Sequence, residues 1–540
     1  MLDTILLVIL TFATVPAEPP VDVVVYGGTS AGVAAAVQTA RMGKTVVLIE
    51  PGRHVGGLTS GGLGCTDIGN KGAIGGIARE FYQRVHRYYR KNDAWTREAR
   101  DDYIARTHGF VDGDAMWGFE PHVAEKIFRE MLAEASVKLV CGQRLDLKNG
   151  VRKQGLRIGQ IIMESGQVYS GRAFIDATYE GDLMARTGVS YTTGREANSQ
   201  YGETLNGVET LHATQHQFNA PVDPFAIPGD AKSGLLPGVH AGSPGTDGEA
   251  DQRIQAYNYR MCLTDVPSNR VPFPKPVGYD PRRYEIFSRY VEAGWRDSLG
   301  NHAAMPNRKT DTNNNGAFST DDIGMNYDYP EADYARREKI AAEHRNYQLG
   351  LMWTMANDPR VPADLRGRAA NWGLARDEFT DNGHWPNQLY IREARRMISD
   401  YVMTEHECRG RRVAADSIGL GAYGMDSHNT QRYVDGQGHV RNEGDIQVGV
   451  AGPYTISYRS IVPKAAECTN LLAPVCLSAT HIAYGSIRME PVFMVLGQSA
   501  ATAAVQAVRD GVDVQQVDYP RLRARLLNDH QVLTWQQKRK

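Results

Sequence analysis

Cysteine is scarce in this sequence, and so is net charge. Six cysteines in 540 residues, with no C-x-x-C pair among them, exclude a disulfide scaffold and a zinc or thiol-exchange motif. Only Cys468 and Cys476 lie close together in the chain, and a disulfide between them stays open. The 60 Lys and Arg against 62 Asp and Glu residues give a net charge of −2, which argues against a nucleic-acid surface.

Long hydrophobic runs are rare as well. Thr4 to Val15 (TILLVILTFATV) is apolar but shorter than the ~20 residues that span a bilayer, and Pro16-Ala17 follows it as a small-residue cleavage signal. We interpret residues 1–17 as a secretory signal peptide. Asp3 stands where Lys or Arg is usual, which leaves a misassigned start codon or an uncleaved anchor open. We expect a secreted or periplasmic protein with no membrane span in its mature form.

A strand, a glycine-rich turn, a helix and a second strand follow in the order of a dinucleotide-binding unit. The strand Val21–Tyr26 is apolar and β-branched, and it runs into the turn Gly27-Gly28-Thr29-Ser30-Ala31-Gly32. We predict a helix over Ala31–Met42 and a second strand over Lys44–Glu50. All four parts are present, so the sequence indicates a bound dinucleotide far more specifically than a glycine pattern alone would.

Each part of this unit has a physical task. Gly27 permits the tight turn, Gly32 lets the helix pack on the strand, and amides at the helix N-terminus can hold a pyrophosphate. Glu50 can accept hydrogen bonds from ribose hydroxyls. Thr29 replaces the second glycine of G-x-G-x-x-G, and we expect its hydroxyl to be able to donate to a phosphate oxygen.

Two other motifs resemble known sites but lack the right flanks. Gly419 to Gly424 fits G-x-G-x-x-G, yet no strand pattern precedes it and no helix pattern follows, so we predict a glycine-rich loop and no nicotinamide site. Asp311 to Gly316, with Asp322, nearly reproduces a calcium loop but lacks the flanking helices. We therefore predict no metal there and an Asx-rich turn whose amides face the active site.

Three further segments suggest where the rest of the dinucleotide lies. Pro51 to Gly64 is a glycine-studded loop, and Ala173–Ala177 is a strand that ends in Thr178-Tyr179-Glu180-Gly181-Asp182. Near the C-terminus we predict a helix that begins near Gly497 and has small residues in its first turns. Such an N-terminus could hold the negatively charged edge of a ring.

With these residues the sequence resembles two-domain FAD-dependent oxidoreductases of the glutathione-reductase and fumarate-reductase type. More narrowly, it resembles an exported bacterial family of FAD-dependent oxidoreductases that is often labelled xanthan lyase-like. The resemblance extends from Val23 to Ala504 and is carried by the segments VVVYGGTSAGVAAA, GRHVGGLTSGGLG, FIDATYEGDL, IQAYNYRMCLT, YIREARRM, YGMDSHN, PYTISYRSIVPK and LSATHIAYGSIRMEPVFMVLGQSAATAA.

The resemblance implies the cofactor FAD and the fold that holds it. It implies an α/β protein with a Rossmann-type, three-layer FAD-binding domain built on a parallel sheet, and an inserted α+β substrate/cap domain. We predict the first part of the FAD domain over 21–190, the substrate/cap domain over 191–455, the second part of the FAD domain over 456–515, and a C-terminal helix or tail over 516–540. The expected cofactor-binding residues are Gly27, Gly28, Thr29, Ser30, Ala31, Gly32, Glu50, Arg53, Gly57, Leu58, Thr59, Gly62, Ala177, Asp182, Gly497, Ser499 and Ala500.

Flavin chemistry on a substrate needs a base and cations that fix oxygen atoms. We take His481 and His428 as candidate bases and Arg392 and Arg488 as candidate clamps, although a structural role is the commoner one for a single histidine. His54 is a weaker candidate for a covalent link to flavin. Whether FAD is bound covalently therefore stays open.

Export restricts the reaction, because nicotinamide nucleotides are scarce outside the cytoplasm. We expect oxidation of an alcohol or carbohydrate-type substrate by hydride transfer to the flavin, with electrons passed to oxygen, a quinone or a carrier protein. Two alternatives stay open: a polysaccharide lyase-like reaction without net redox, and a flavin-bearing electron carrier or binding protein. The substrate, the electron acceptor and the oligomeric state are not specified by these patterns.

Overall fold

The computed structural model describes residues 20–107, 110–298 and 300–536, which form a mixed α/β protein. The predicted signal peptide, 1–17, lies outside the described residues. The α-helices are α1 Ser30–Arg41, α2 Gly57–Ser60, α3 Gly76–Tyr89, α4 Arg100–Thr107, α5 Pro121–Glu134, α6 Asp182–Arg186, α7 Asn198–Tyr201, α8 Glu285–Glu292, α9 Tyr334–Asn357, α10 Ala363–Ala370, α11 Glu405–Cys408, α12 His481–Ile487, α13 Glu490–Asp510 and α14 Tyr519–Asn528. The strands are β1 Val21–Tyr26, β2 Val46–Glu50, β3 Val111–Asp112, β4 Ala115–Met116, β5 Lys138–Cys141, β6 Val151–Gln154, β7 Arg157–Ile162, β8 Val168–Asp176, β9 Tyr191–Thr192, β10 Phe225–Ile227, β11 Asp230–Leu235, β12 Met261–Thr264, β13 Arg270–Val271, β14 Gly300–Met305, β15 Lys309–Asn314, β16 Gly373–Ala375, β17 Arg396–Met397, β18 Ser417–Gly421, β19 Met425–Ser427, β20 Gln431–Val434, β21 Val440–Glu443, β22 Ile446–Val448, β23 Tyr454–Ser457 and β24 Leu471–Leu472.

The main sheet has the order β5-β2-β1-β8-β7-β6, with β24 paired to β8. The pairs that join β5, β2, β1, β8 and β24 are parallel, whereas β7 and β6 are added antiparallel. Val24 stands opposite Val47 on one side and Phe174 on the other, and all three are buried. Because β1 is covered on both faces, it reads as a continuous apolar run. The parallel sheet expected from the sequence is confirmed.

The predicted first unit of this sheet is present with small shifts. The strand Val21–Tyr26 is confirmed at both ends, and the following helix begins one residue earlier than predicted, at Ser30. It begins there because the Thr29 hydroxyl accepts a hydrogen bond from the Gly32 amide and so caps the helix. The predicted strand over 173–177 belongs to the longer β8, which ends at Asp176.

The prediction of a helix that begins near Gly497 is wrong. Helix α13 begins at Glu490 with Pro491 in its first turn, so Gly497, Ser499 and Ala500 lie inside the helix and not at its N-terminus. A β-carbon on Gly497 would lie 2.2 Å from the carbonyl oxygen of Ala31 in α1. The small residues therefore permit close packing of two core helices. Although α13 is long and apolar enough to cross a membrane, 94% of its most apolar window is buried inside the protein.

A second, antiparallel sheet lies in the middle of the chain, with the order β13-β16-β12-β15-β14. The Asx-rich turn predicted from Asp311 is wrong, because Lys309–Asn314 is strand β15 and pairs with β12 and β14 on its two sides. The long helix α9, Tyr334–Asn357, lies in the same middle part of the chain. The prediction of a glycine-rich loop from Gly419 to Gly424 is partly wrong, since Ser417–Gly421 is strand β18 and pairs with β23.

The six cysteines, all within the described residues, are free thiols. Cys476 donates through Sγ to the carbonyl oxygens of Thr178 and Tyr179, and Cys468 contacts Asn470. The two sulfurs therefore have separate partners, and they form no disulfide with each other.

Candidate cofactor and active site

The carboxyl ends of β1, β2 and β8 meet at one edge of the main sheet, and the glycines of the first turn fit tightly there. Gly27 has a φ of +102°, and a β-carbon on it would lie 2.7 Å from the carbonyl carbon of Ala177. A β-carbon on Gly32 would lie 1.8 Å from the carbonyl oxygen of Gly27. Only glycine at both positions allows the turn, the start of α1 and the end of β8 to come this close.

The Thr29 hydroxyl has a different role from the one expected. It donates to the carbonyl oxygen of Ala177 at 2.7 Å and accepts from the amide of Gly32 at 3.3 Å. A hydroxyl has one proton to donate, so this bond uses the proton that the sequence suggested for a phosphate. Thr29 therefore ties the first turn of α1 to the end of β8.

Glu50 is fixed at the end of β2 by two main-chain amides. The Gly28 amide donates to Oε2 at 2.7 Å, and the Gly52 amide donates to Oε1 at 2.5 Å. Burial raises the pKa of Glu50 to about 7, although both amides favour the charged form. Each carboxylate oxygen keeps further acceptor capacity, as binding of ribose hydroxyls requires.

A cavity of about 240 Å³ opens at this edge of the sheet. Gly27, Thr29 and Glu50 line it, together with Thr178, Tyr179 and Asp182 from the segment after β8. It lies beside the N-terminus of α1, where main-chain amides favour an anion. A β-carbon on Gly28 would lie 2.9 Å from Glu50, so this approach requires glycine. These residues fit the adenosine diphosphate half of a dinucleotide such as FAD.

Asp182 lines the cavity, but protein cations occupy its carboxylate. Arg337 donates to its two oxygens at 2.6 and 2.9 Å, and Arg395 donates to Oδ1 at 2.8 Å. Burial raises the pKa of Asp182, yet Arg337 and Arg395 hold that pKa below its ordinary value. Asp182 therefore anchors α9 against the main sheet and is not a free acceptor for the cofactor, contrary to the sequence-based expectation.

The glycine-studded loop, Pro51 to Gly64, lies beside the cavity and also contacts Arg260. A smaller cavity of about 80 Å³ is lined by Glu50, Arg53, His54 and Gly57. The Leu58 amide donates to the Tyr179 hydroxyl at 2.8 Å. Farther along, a β-carbon on Gly62 would lie 2.1 Å from the carbonyl oxygen of Arg260. The loop thus connects the cofactor edge of the sheet with the middle of the chain.

Sequence reasoning missed Glu490, the first residue of α13. Its carboxylate is buried and accepts from the hydroxyls of Ser30 at 2.5 Å, Thr59 at 2.8 Å and Tyr179 at 2.6 Å. Ser30 and Thr59 were both expected to touch the cofactor. Pro491 could have revealed Glu490, since proline is common in the first turn of a helix.

The structure brings Arg392 and Arg488 together around the ring of Tyr390, and Asp321 and Asp426 connect these arginines to His428. The Arg392 and Arg488 guanidinium carbons lie 4.5 and 5.5 Å from the ring centroid. Arg488 donates to the Tyr390 hydroxyl at 2.6 Å and to Asp426 Oδ2 at 2.9 Å. Buried Nε atoms of both arginines have no hydrogen-bond partner in the described part of the chain. Two buried cations that each keep one unused donor therefore lie on the same aromatic ring.

Two carboxylates flank His428. Asp321 Oδ2 lies 2.8 Å from its Nδ1 atom, and Asp426 Oδ2 lies 3.6 Å from its Nε2 atom. Burial and Arg392 lower the pKa of His428, but Asp321 and Asp426 outweigh them, so that pKa lies above its ordinary value. An imidazole oriented by a carboxylate is an arrangement suited to proton transfer.

His481 does not join this cluster. Its Nδ1 atom lies 2.6 Å from Glu393 Oε2, and its Nε2 atom lies 3.0 Å from Ser427 Oγ. Ser427 alternates with Asp426 and His428 along the chain, so its side chain points to the opposite face. Burial, and then the charge of Arg396, lowers the pKa of His481 to about 3. Both ring nitrogens of His481 therefore have protein partners outside the cluster, which favours a structural role for this candidate base.

Several residues around Tyr390 were missed because distant segments supply them. Arg392 donates to the side-chain oxygens of Asn258 and Asn313 at 3.1 Å, so an amide of the segment that resembles a calcium loop contacts one of the candidate clamps. Arg260 lies 5.8 Å from the Tyr390 ring and pairs with Asp311. The segment IQAYNYRMCLT, which carries part of the family resemblance, contains Asn258 and Arg260 and was the available signal.

His54 has two carboxylate partners. Its Nδ1 atom lies 2.9 Å from Glu125, and its Nε2 atom lies 3.0 Å from Asp381. The Glu125 hydrogen bond raises the pKa of His54 despite partial burial. Both ring nitrogens are engaged, so this arrangement offers none for a covalent bond to flavin.

One group of side chains within the described residues has the spacing of a metal site, formed by Glu120, His122 and Glu378. Lys309 fills this position instead, with its ammonium 2.8 Å from Glu120 and 2.6 Å from Glu378. Burial lowers the pKa of Lys309, but the two carboxylates raise it overall. A protein cation therefore stands between the two carboxylates of this cluster.

The fold and the site define a flavin-dependent α/β enzyme, and comparison with known proteins gives its family. The chain belongs to the family described as FAD dependent oxidoreductase, which matches residues 22–526. It is an oxidoreductase, and FAD is its cofactor.

Solved structures are similar over about a third of the chain. L-amino acid deaminase from Proteus vulgaris is 16% identical over 34% of this chain and 54% of its own, with a TM-score of 0.23. L-proline dehydrogenase from P. horikoshii is 15% identical over 34% of this chain and 59% of its own, with a TM-score of 0.23. The matches thus span about half the length of those proteins. No curated protein sequence matches this chain.

Proposed function

We propose that this FAD-dependent oxidoreductase oxidises an alcohol group on a carbohydrate-type substrate. The observation that supports this reaction is the cluster in which His428 is oriented by Asp321 beside Arg392 and Arg488. Oxidation of an alcohol requires removal of a hydroxyl proton and a fixed oxygen atom. The cluster contains one group for each requirement.

In this proposal His428 accepts the hydroxyl proton at Nε2, since Nδ1 is held by Asp321. The unpartnered Nε donors of Arg392 and Arg488 hold the substrate oxygens. Asn258 and Asn313 fix the position of Arg392. Bound FAD would accept the hydride from the substrate carbon that carries this hydroxyl group. Tyr390, Arg392 and Arg488 are buried, and electrostatic interactions are stronger in such a weakly polarisable environment.

We further propose that residues 191–455 act as an inserted substrate/cap domain, because they contribute Arg392, Asp321, Asp426 and His428. The apolar segment near the N-terminus supports export and a secreted or periplasmic location. Electrons then pass to oxygen, a quinone or a carrier protein, with no membrane span in the mature protein. The nearly balanced charge argues against nucleic acid as a partner.

Anaerobic spectroscopy of the purified holoprotein tests this function. Carbohydrates, polyols and uronic acids are added one at a time, and flavin absorbance near its visible maximum is followed. Lasting bleaching with formation of a carbonyl product supports the proposal. Unsaturated product with flavin still oxidised supports the lyase-like reaction instead. Bleaching only by a redox partner identifies an electron carrier.

A further inference from the structure

The carboxylate of Glu490 occupies a nest of three hydroxyl groups at the cofactor edge of the main sheet. The hydroxyls come from Ser30 at the start of α1, Thr59 in α2 and Tyr179 after β8. Each is within 2.8 Å of the carboxylate. The Tyr179 hydroxyl also accepts from the Leu58 amide, so the nest is tied to the glycine-studded loop.

This nest contains a carboxyl group where an anion of the cofactor is expected. The N-terminus of α1 favours negative charge, and in this structure the Ser30 side chain there is bonded to Glu490. FAD has a negatively charged diphosphate, which would come close to the same helix end. Two anions at one buried place repel each other strongly, because the dielectric response there is weak.

The surroundings of Glu490 provide little to offset that repulsion. The titratable groups that face it are Tyr179 from the segment after β8 and Tyr82 from α3, and both are neutral phenols with raised pKa values. Among the described residues, no Lys, Arg or His forms an ion pair with its carboxylate. Burial raises the pKa of Glu490 even though the three hydroxyls stabilise its charged form.

We propose that Glu490 takes up a proton from solvent when FAD binds, and that its release of the nest hydroxyls links cofactor loading to pH. In the free protein, the charged carboxylate holds Ser30, Thr59 and Tyr179 in place. When the diphosphate binds, protonation of Glu490 removes the repulsion between the two anions. The nest hydroxyls are then held less strongly by Glu490 and can form other hydrogen bonds. FAD affinity therefore decreases as pH rises through the pKa that Glu490 has in the bound state. This inference rests on the cofactor and is independent of the substrate.

Cofactor titration across pH tests the linkage without any measurement of activity. Full-length protein is stripped of FAD, its folding is checked by circular dichroism, and FAD is added back while flavin fluorescence reports binding. We expect the dissociation constant to rise about tenfold per pH unit over the window in which one proton is taken up. Calorimetry in buffers of different ionisation enthalpy counts the protons directly.

Glu490→Gln is the decisive variant because it keeps the shape of the side chain and cannot titrate. It should flatten the pH dependence and lower proton uptake, while any contribution from Glu50 stays equal in both proteins. Glu80→Gln, on α3 but outside the nest, should retain the wild-type slope. Equal slopes for wild type and Glu490→Gln would overturn the proposal. If Glu490→Gln does not fold, Thr59→Val is the second variant. It removes one donor to the carboxylate, so more Glu490 is already neutral before FAD binds and proton uptake should be smaller. Unchanged proton uptake in Thr59→Val would overturn the proposal equally.

Discussion

The carboxylate of Asp321 lies 2.8 Å from Nδ1 of His428, and no other carboxylate lies as close to that ring among the described residues. This contact both orients the imidazole and helps to raise its pKa above the ordinary value. Its two consequences can be separated by experiment.

Asp321→Asn should lower the turnover number by about 10²–10⁴-fold, the usual contribution of a positioned acid–base group. A base acts in its neutral form, so in the wild type activity rises as pH increases through the raised pKa of His428. Loss of the Asp321 charge lowers that pKa, and the acidic limb of the pH–rate profile should move to lower pH. The measurement is steady-state oxidation from pH 5 to 9.

The neighbouring carboxylate provides the control for this variant. Asp322 pairs with Arg283 and makes no ion pair or hydrogen bond with His428 in the described chain. Asp322→Asn should therefore leave the acidic limb in place. If both variants shift the limb equally, His428 is not the group that titrates.

Gly497→Ala should destabilise the protein, since the added carbon meets the Ala31 carbonyl oxygen at 2.2 Å. We expect a loss of about 1–3 kcal/mol in the free energy of unfolding, as for other overpacked cores. A β-carbon added to Gly367 in α10 would have no neighbouring atom within 4 Å, and Gly367→Ala should stabilise by about 1 kcal/mol. Urea denaturation measures both. Equal effects would mean that helix propensity, and not packing of α13 on α1, governs Gly497.

Lys309→Met should cost about 3–5 kcal/mol, because it leaves the buried carboxylates of Glu120 and Glu378 without their cation. Lys126→Met, which breaks an exposed pair with Glu130, should cost less than about 0.5 kcal/mol. Thermal unfolding separates the two. EDTA should not change the melting temperature of the wild type, and a large decrease on chelation would show that a metal occupies this cluster.

Asp445→Asn should change how stability depends on pH. Burial raises the pKa of Asp445 to about 7, with a further contribution from the Asp426 charge. The native state therefore retains a proton that the unfolded state loses near pH 4, and stability falls as pH rises from about 4 to 7. Without this group, the decrease should be smaller by about 4 kcal/mol, at 1.36 kcal/mol per pH unit.

Chemical denaturation at several pH values measures this difference. The exposed Asp364→Asn variant in α10 should follow the wild-type dependence. A steeper decrease in Asp445→Asn than in the wild type would contradict the expected direction of the shift.

The sequence predicted those parts of the site that are local in the chain. Gly27, Gly32 and Glu50 belong to one strand–turn–helix–strand unit. The role of each residue depends on neighbours in that unit or on the edge of the sheet that the unit forms. The position of Glu50 follows because β2 lies parallel to β1. Such short-range geometry is encoded in residue spacing.

The parts that were missed depend on contacts between distant segments. Asp321, Tyr390 and Arg260 come from separate strands and loops, and nothing in their local patterns shows that they meet. The small residues after Gly497 were misread because a helix start and a helix–helix contact both favour them. Pro491 was the better signal, since it fixes backbone geometry in the first turn.

Ser30 and Glu490 form one hydrogen bond although 460 positions separate them. A ribosome must therefore release nearly all of the chain before the coenzyme has a finished place to bind. A nascent or truncated product that ends before α13 would lack the core helix that packs on α1, and so could not retain the coenzyme. Yellow colour in a purified preparation would then report translation to at least this helix, and would distinguish full-length molecules from prematurely terminated ones.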